Sequence, residues 1–143
     1  MAAEDDVRQA SDRFYAALNS MLKGDAGPMV DTDVWSHASD VSTMHPIGDR
    51  EVGWDHVEGT WRQVASLSSG GQVAIKDPVV RVTGDLAYET CTEAGEATLA
   101  GQSVSFGHRV TNVYRRESGT WKLVHHHTDK SPGMEEIVSR LQP

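Results

Sequence analysis

Three consecutive histidines near the end of the chain, residues 125–127, are the side chains whose type and spacing are best suited to chemistry. Histidine titrates near neutral pH, so each imidazole can accept or donate a proton. Because successive side chains of a β-strand point to opposite faces, a strand through this run would place His125 and His127 on one face and turn His126 away. The spacing therefore predicts His125 and His127 as a base and acid pair.

Two further polar residues are candidate catalytic groups. Arg109 is expected on the same face as the histidine pair, where its guanidinium could stabilise an enolate or carboxylate oxygen. The alternative is a salt bridge between Arg109 and Glu89, Glu93 or Asp129. His45 ends a short predicted strand and is expected to project into the same pocket, although a hydrogen bond with the backbone of the following turn explains it equally well.

The spacing of His125 and His127 is also that of metal ligands on a strand, and His45 could supply a third nitrogen. A metal site would require the three imidazoles to converge, and no carboxylate has a clear place beside them. We therefore expect no metal ion and no cofactor at this site.

Five other residues are predicted to bind a ligand beside the histidines. Two are tryptophans seven residues apart on one helical face, expected to be mainly core, with one indole able to line the pocket. One is a tyrosine whose hydroxyl can donate to a substrate oxygen, and two are threonines on the strand face of the histidine pair. These residues are Trp54, Trp61, Tyr88, Thr90 and Thr111.

The elements that must position these side chains change character halfway along the chain. Apolar residues recur at helical spacing in the first half, whereas β-like runs separated by glycine-containing turns fill the second. Helices are predicted within residues 4–23, 27–35, 54–67 and 131–141, and strands within 41–45, 50–52, 73–82, 86–99, 104–116 and 121–128. Helices first and strands later predict an α+β fold with a four-stranded meander and a short C-terminal helix.

The turns of the meander predict which side chains share a face, because directly opposed residues of an antiparallel pair point the same way. We expect a two-residue turn at 100–101 and a three-residue loop at 117–119. The predicted pairs are Tyr88–Val113, Thr90–Thr111 and Thr92–Arg109 across the first turn, and Val113–Leu123, Thr111–His125 and Arg109–His127 across the second. A four-residue loop at 117–120 is the alternative, and it would place Val110 and Asn112 beside the histidines.

Composition limits the class of partner. The 143 residues suit one domain, residues 1–143, and 21 acidic against 13 basic side chains give a formal charge of -8. This charge disfavours nucleic acid and anionic membrane surfaces as partners. The single cysteine, Cys91, has no partner for an internal disulfide, and residues 1–23 lack an apolar run typical of a signal peptide. We expect a soluble cytoplasmic protein.

Several segments of the chain resemble one family. They are Met44-His45-Pro46-Ile47-Gly48, Val52-Gly53-Trp54, residues 81–87, and residues 111–116 leading to 121–127. Together with the order of elements, they resemble the SnoaL-like branch of the nuclear-transport-factor-2-like (NTF2-like) superfamily, which includes ketosteroid isomerase and scytalone dehydratase. The resemblance covers nearly the whole chain. It implies a strongly curved, mostly antiparallel sheet wrapped by N-terminal helices to form a conical pocket, and often a homodimer.

The function that the resemblance implies is broad, since the superfamily contains isomerases, dehydratases, cyclases, ligand binders and assembly modules. Ketosteroid isomerase is marked by a catalytic aspartate and by a tyrosine paired with a protonated aspartate, and neither feature has a confident match in this sequence. Asp40 precedes the first strand, but nothing in its surroundings indicates burial. Histidine chemistry looks more like the dehydratase branch. We expect a cofactor-independent lyase or isomerase acting next to a carbonyl of a small organic molecule. The alternatives are a ligand-binding or accessory domain, or a dimer surface in which the histidines only pack.

Overall fold

The computed structural model describes residues 2–141, which form four helices and six strands. The elements are α1 (Ala2–Leu22), α2 (Gly27–Val30), β1 (Ser42–Met44), β2 (Arg50–Val52), α3 (Trp54–Leu67), β3 (Ser68–Thr83), β4 (Leu86–Leu99), β5 (Gln102–Glu117), β6 (Thr120–Thr128) and α4 (Pro132–Ser139). The strands form one sheet in the order β2-β1-β6-β5-β4-β3. Neighbouring strands are antiparallel except β1 and β6, which are parallel. The predicted α+β class with a curved, mostly antiparallel sheet is confirmed.

One face of the sheet, here called the inner face, is covered by the helices. The apolar stripe of α1 packs on it through Val7, Phe14 and Met21, each at most 3% exposed. Helix α3 adds Val57 and Trp61 to the same core, so the amphipathic periodicity of both helices is explained by this contact. The opposite face, here called the open face, carries exposed side chains. No helix within residues 2–141 has the length and apolar character needed to cross a bilayer.

The inner face is unusual because polar side chains interrupt its apolar surface. Inner-face residues of the meander include Ala87, Glu89, Cys91 and Glu93 on β4, His108, Val110, Asn112 and Tyr114 on β5, and His126 and Thr128 on β6. All ten are buried. A buried polar group must find hydrogen-bond partners inside the protein, so the contacts of these side chains determine how helices and sheet fit together.

The register of the first hairpin is as predicted. A two-residue turn at Ala100 and Gly101, both with positive φ, aligns β4 with β5. The pairs Tyr88–Val113, Thr90–Thr111 and Thr92–Arg109 are all present.

The register of the second hairpin differs from the prediction. Ser118 and Gly119 both have positive φ, at 51° and 80°, and form a two-residue turn with Glu117 opposite Thr120. This is the type of turn whose twist matches that of the flanking strands, whereas the three-residue loop required only the glycine to be left-handed. A bulge between Val113 and Tyr114 shifts the register again. The observed pairs are therefore Val113–His125 and Thr111–His127.

Close contact between β3 and β4 depends on a glycine. A Cβ atom at Gly95 would collide with the carbonyl oxygen of Gln72 and lie 2.9 Å from Cα of Val73, whereas a Cβ at Gly107 would meet nothing within 4 Å. We expect Gly95→Ala to lower the free energy of unfolding by about 1–3 kcal/mol, because backbone must move to relieve the clash.

Chemical denaturation of Gly95→Ala and Gly107→Ala side by side tests this. The control should stay within roughly 0.5 kcal/mol of the wild type, as surface substitutions usually do. Equal stabilities of the two variants would show that β3 and β4 tolerate a wider separation than the structure has.

Candidate functional site

The predicted histidine pair lies on the open face, on the side of the sheet away from the helices. His127 is exposed and His125 is half-buried, with Nδ1 2.7 Å from Oγ of Ser42. The side chain of Arg109 is 87% exposed and forms a salt bridge with Asp129 at 2.9 Å, which was the alternative to a catalytic role. Arg109 and His127, together with Thr90 and Thr111, line an open pocket of about 490 Å³ and do not line the space between the sheet and the helices. Their catalytic or binding role stays a prediction.

The three ligand-binding candidates on β4 and β5 also lie on the open face. Tyr88 and Thr90 are exposed, and Thr111 is half-buried. Strand parity correctly grouped them with the histidine pair, but the face itself was misassigned. The reason is that apolar character does not separate the two faces here, because Leu86 and Tyr88 are exposed on the open face while Glu89 is buried on the inner face.

A cavity of about 70 Å³ lies between the inner face, α1, α3, the turn after β1, and α4. Most of its wall is apolar, with side chains from six elements and from the turn after β1. Examples are Leu18, Ile47, Trp61, Phe106 and Met134. The polar part of the wall consists of Glu93, His45, His108 and His126. This arrangement, an apolar pocket with a few converging polar groups, is the usual form of a ligand or active site.

Glu93 is the centre of the polar wall and is only 3% exposed. Its Oε2 accepts a hydrogen bond of 2.8 Å from the Tyr15 hydroxyl. Two imidazoles lie just beyond hydrogen-bond distance, with His108 Nδ1 3.8 Å from Oε1 and His126 Nε2 3.7 Å from Oε2. Burial alone would raise the pKa of Glu93, but polar contacts, of which the one with His108 is the strongest, outweigh it and lower that pKa.

A second buried carboxylate, Glu89, has a complete set of partners. Ser11 Oγ lies 2.9 and 2.8 Å from its two oxygens, and Oε1 also accepts from Asn112 Nδ2 at 3.1 Å and from the Tyr114 hydroxyl at 2.9 Å. Burial and the carboxylate of Glu89 raise the pKa of Tyr114 well above its usual value, so this phenol stays neutral and donates. Glu89 is a structural carboxylate.

Asn112 connects the two carboxylates. Its Nδ2 is 3.1 Å from Glu89 Oε1 and 3.1 Å from the Tyr15 oxygen, and its Oδ1 is 2.6 Å from His126 Nδ1. His126 is 2% exposed, and burial lowers its pKa to about 4. Burial and the carboxylate of Glu93 likewise raise the pKa of Tyr15, which stays a neutral donor.

Several polar atoms at the cavity have no hydrogen-bond partner among the described residues. They are both ring nitrogens of His108, Nε2 of His45 and Nε1 of Trp61. His45 Nε2 is 3.6 Å from Oε1 of Glu51, and the His108 ring stacks on Phe106 at a centroid distance of 4.9 Å. These groups retain hydrogen-bonding capacity that a ligand in the cavity can use.

Two of the nine predicted site residues, His45 and Trp61, line the cavity. Trp54 is buried but stacks on His37 at 4.1 Å and contributes no wall. His45 and the histidine pair lie on opposite sides of the sheet and cannot converge on one ion. Within residues 2–141, no three or more His, Cys, Asp or Glu side chains are grouped as metal ligands.

The residues that the sequence analysis missed are Tyr15, Glu93, His108, Asn112 and His126. One signal was available, because the correct register of the first hairpin already places Glu93 opposite His108 and Glu89 opposite Asn112. Two carboxylates four residues apart on one strand face, opposite a histidine and an amide, are a better candidate than the adjacent histidines. Tyr15 could not be found this way, since its contact depends on how α1 packs on the sheet.

The buried state of His126 predicts a pH dependence of stability. Its pKa is about 4 in the folded protein and near 6.5 when unfolded. Between these values the unfolded chain binds a proton that the folded protein does not, so the free energy of unfolding falls as the pH decreases from about 6.5 to 4. We expect this group to contribute roughly 3 kcal/mol to that decrease.

Urea denaturation of the wild type, His126→Gln and His127→Gln across this pH range measures the effect. His126→Gln should show a flatter dependence, whereas His127→Gln, on the open face, should keep the wild-type slope. Parallel curves for the wild type and His126→Gln would contradict the assignment.

Solved structures with the same fold belong to proteins with different proposed functions. A proposed dehydratase of the NTF2-like family from Streptomyces avermitilis is 29% identical, with 91% of this chain and 96% of that protein covered and a TM-score of 0.77. A proposed calcium/calmodulin-dependent protein kinase II association domain from Thiobacillus denitrificans is 26% identical, with 85% and 92% covered and a TM-score of 0.66. A proposed aromatic ring hydroxylase from Novosphingobium aromaticivorans is 17% identical, with 89% and 87% covered and a TM-score of 0.75, and shows the fold alone.

No match was found among the curated proteins. The family model of the SnoaL-like domain matches residues 7–129. This range includes every residue of the cavity's polar wall and both buried carboxylates. The chain therefore belongs to the SnoaL-like domain family of the NTF2-like superfamily.

Proposed function

We propose that the chain is a cofactor-independent lyase or isomerase that moves a proton on a small organic molecule bound next to Glu93. The observation that carries this proposal is the incompletely hydrogen-bonded carboxylate at the polar wall of an otherwise apolar cavity. Its two oxygens face His108 and His126 at 3.8 and 3.7 Å. Titratable groups with perturbed pKa values in a cavity are typical of acid and base catalysts.

The roles follow from the hydrogen-bonding state of each group. Glu93 and His126 accept a proton from a carbon next to a carbonyl, and the electron pair of the broken C–H bond forms a C=C bond. In a dehydration, a β-hydroxyl takes a proton from His108 or His45 and leaves as water. In an isomerisation, the proton returns to another carbon. The similarity to the Streptomyces protein, itself a proposed dehydratase, supports the first of these reactions.

The size of the cavity limits the substrate. About 70 Å³ is the space of roughly two water molecules, far below the several hundred Å³ of an ordinary ligand pocket. A substrate larger than a few atoms therefore requires side chains of the wall to change rotamer, as binding sites commonly do. The apolar wall favours a compact substrate with one polar end directed at Glu93.

The test is the replacement of Glu93 by glutamine, which keeps the shape and removes the base. Small β-hydroxy carbonyl compounds and their unsaturated products are incubated with the protein, and consumption is followed by NMR. For a compound that is turned over, we expect Glu93→Gln to lower kcat/KM by about 10²-fold or more. His127→Asn, on the open face, should leave kcat/KM unchanged.

A second candidate function is a ligand-binding or accessory domain that performs no chemistry, and the similarity to the proposed association domain from Thiobacillus denitrificans favours it. In that case a compound raises the melting temperature but is not consumed. Turnover that survives in Glu93→Gln would instead contradict the proposed catalytic role while leaving an enzymatic function intact.

We also infer that the chain forms a homodimer through the open face. Three large apolar side chains are exposed at one end of this face: Val79, Leu86 and Tyr88 are 40%, 51% and 47% exposed. They lie on adjacent strands, with Tyr88 opposite Arg81 and Leu86 opposite Thr83. An apolar cluster with a polar surround is typical of a protein interface.

Sedimentation velocity tests the interface. Leu86→Glu should shift the protein from dimer to monomer at micromolar concentration, because a carboxylate would be buried without a partner. Val52→Glu is the matched control, since Val52 is 53% exposed on β2 at the far edge of the sheet. A monomeric wild type, or a dimer unaffected by Leu86→Glu, would contradict the inference.

A further inference from the structure

We propose that Asn112 is a positioning residue that holds His126 in the tautomer with its proton on Nδ1, so that the unprotonated Nε2 faces Glu93. The inference deepens the proposed function because it concerns the base of the same site. It is, however, a property of the protein without substrate. It depends on a chain of hydrogen bonds whose donors and acceptors can be assigned one by one.

The orientation of the Asn112 amide is determined by its neighbours. Tyr15 donates its only hydroxyl proton to Glu93 Oε2 at 2.8 Å, so its oxygen can only accept from the atom of Asn112 that lies 3.1 Å away. Glu89 Oε1, also 3.1 Å from that atom, is likewise an acceptor. Only the NH₂ group of the amide can satisfy two acceptors, since the reversed orientation would place a carbonyl oxygen against both of them.

The tautomer of His126 follows from this orientation. With Nδ2 directed at Glu89 and Tyr15, the atom of Asn112 that lies 2.6 Å from His126 Nδ1 is the carbonyl oxygen. A carbonyl oxygen can only accept, so Nδ1 carries the proton. A neutral imidazole has one ring proton, and burial keeps His126 neutral by lowering its pKa to about 4. Nε2 therefore has a free lone pair.

The tautomer of His126 matters for Glu93, whose Oε2 lies 3.7 Å from Nε2 of His126. Nε2 of His126 and Oε2 of Glu93 are both acceptors facing the same gap, and a proton that enters the gap is shared by the two. Without Asn112, the carboxylate would attract the imidazole proton to Nε2, and the histidine would act as a donor to Glu93. Asn112 thus decides whether the pair is ready to accept a proton or already holds one.

The experiment is NMR of protein labelled with ¹⁵N histidine, read at neutral pH without any ligand. Protonated and unprotonated ring nitrogens differ in chemical shift, and the signals of His126 are those that His126→Gln removes. We expect a protonated Nδ1 and an unprotonated Nε2 in the wild type. A wild-type spectrum with the proton on Nε2 would overturn the inference, with no variant of Asn112 needed.

Variants separate the acceptor role of Asn112 from a general structural role. Asn112→Leu, which removes the acceptor, should shift the proton from Nδ1 to Nε2. Thr111→Val is the control, because Thr111 pairs with His127 and faces the other side of the sheet. An unchanged tautomer in a folded Asn112→Leu protein would show that Asn112 does not determine it.

The tautomer and the proposed function can fail separately. If Glu93→Gln keeps full turnover while the wild type has the Nδ1 proton, the proposed catalytic role falls and the positioning role of Asn112 stands. If the wild type has the Nε2 proton, the positioning role falls whatever the turnover of Glu93→Gln.

Discussion

The burial of two carboxylates on one face of β4 is the constraint on which the rest of the structure depends. Glu89 and Glu93 are 1% and 3% exposed, and a buried charge left without partners costs several kcal/mol. The two carboxylates differ in the number of their hydrogen bonds. Glu89 is within hydrogen-bond distance of one amide and three hydroxyl contacts, whereas Glu93 has one hydrogen bond, from Tyr15, and two imidazoles at longer distance. The first carboxylate stabilises the fold, and the second keeps capacity for a ligand.

The partners of these carboxylates come from α1 and from the two strands that follow β4. Ser11 and Tyr15 are one turn apart on α1, and they contact Glu89 and Glu93, which are four residues apart on β4. These two contacts, one helical turn apart, fix the position of α1 along the sheet. Sliding α1 along the sheet by one turn would separate both hydroxyls from their carboxylates. The register of α1 on the sheet and the geometry of the site are therefore fixed by the same contacts.

The sequence is sufficient to predict the elements, the α+β class and one of the two hairpin registers, because these depend on local periodicity and turn chemistry. It is also sufficient for the observation that His126 lies on the opposite face from its two neighbours. It does not determine which face the helices cover. That choice depends on whether buried polar groups such as Glu89 find hydrogen-bond partners. The partner of Glu89 on α1 is Ser11, which lies 78 residues away in the sequence, so no local pattern reveals the contact. The bulge after Val113 is a second feature without a local signal. That residues 1–143 are one domain stays a prediction.

The contribution of His45 shows how the edge of the sheet completes the site. The short strand β1 pairs in parallel with β6, so that Met44 lies beside His127 and the chain then turns inward at His45. The His45 ring packs edge-on against Trp61 at a centroid distance of 4.7 Å, and Glu51 of β2 lies 3.6 Å from its Nε2. Burial would raise the pKa of Glu51, but contacts with His45 and two threonines outweigh it and lower that pKa. The His45 ring also lies 6.3 Å from the ring of His126, so the edge of the sheet and its centre contribute to one continuous polar wall.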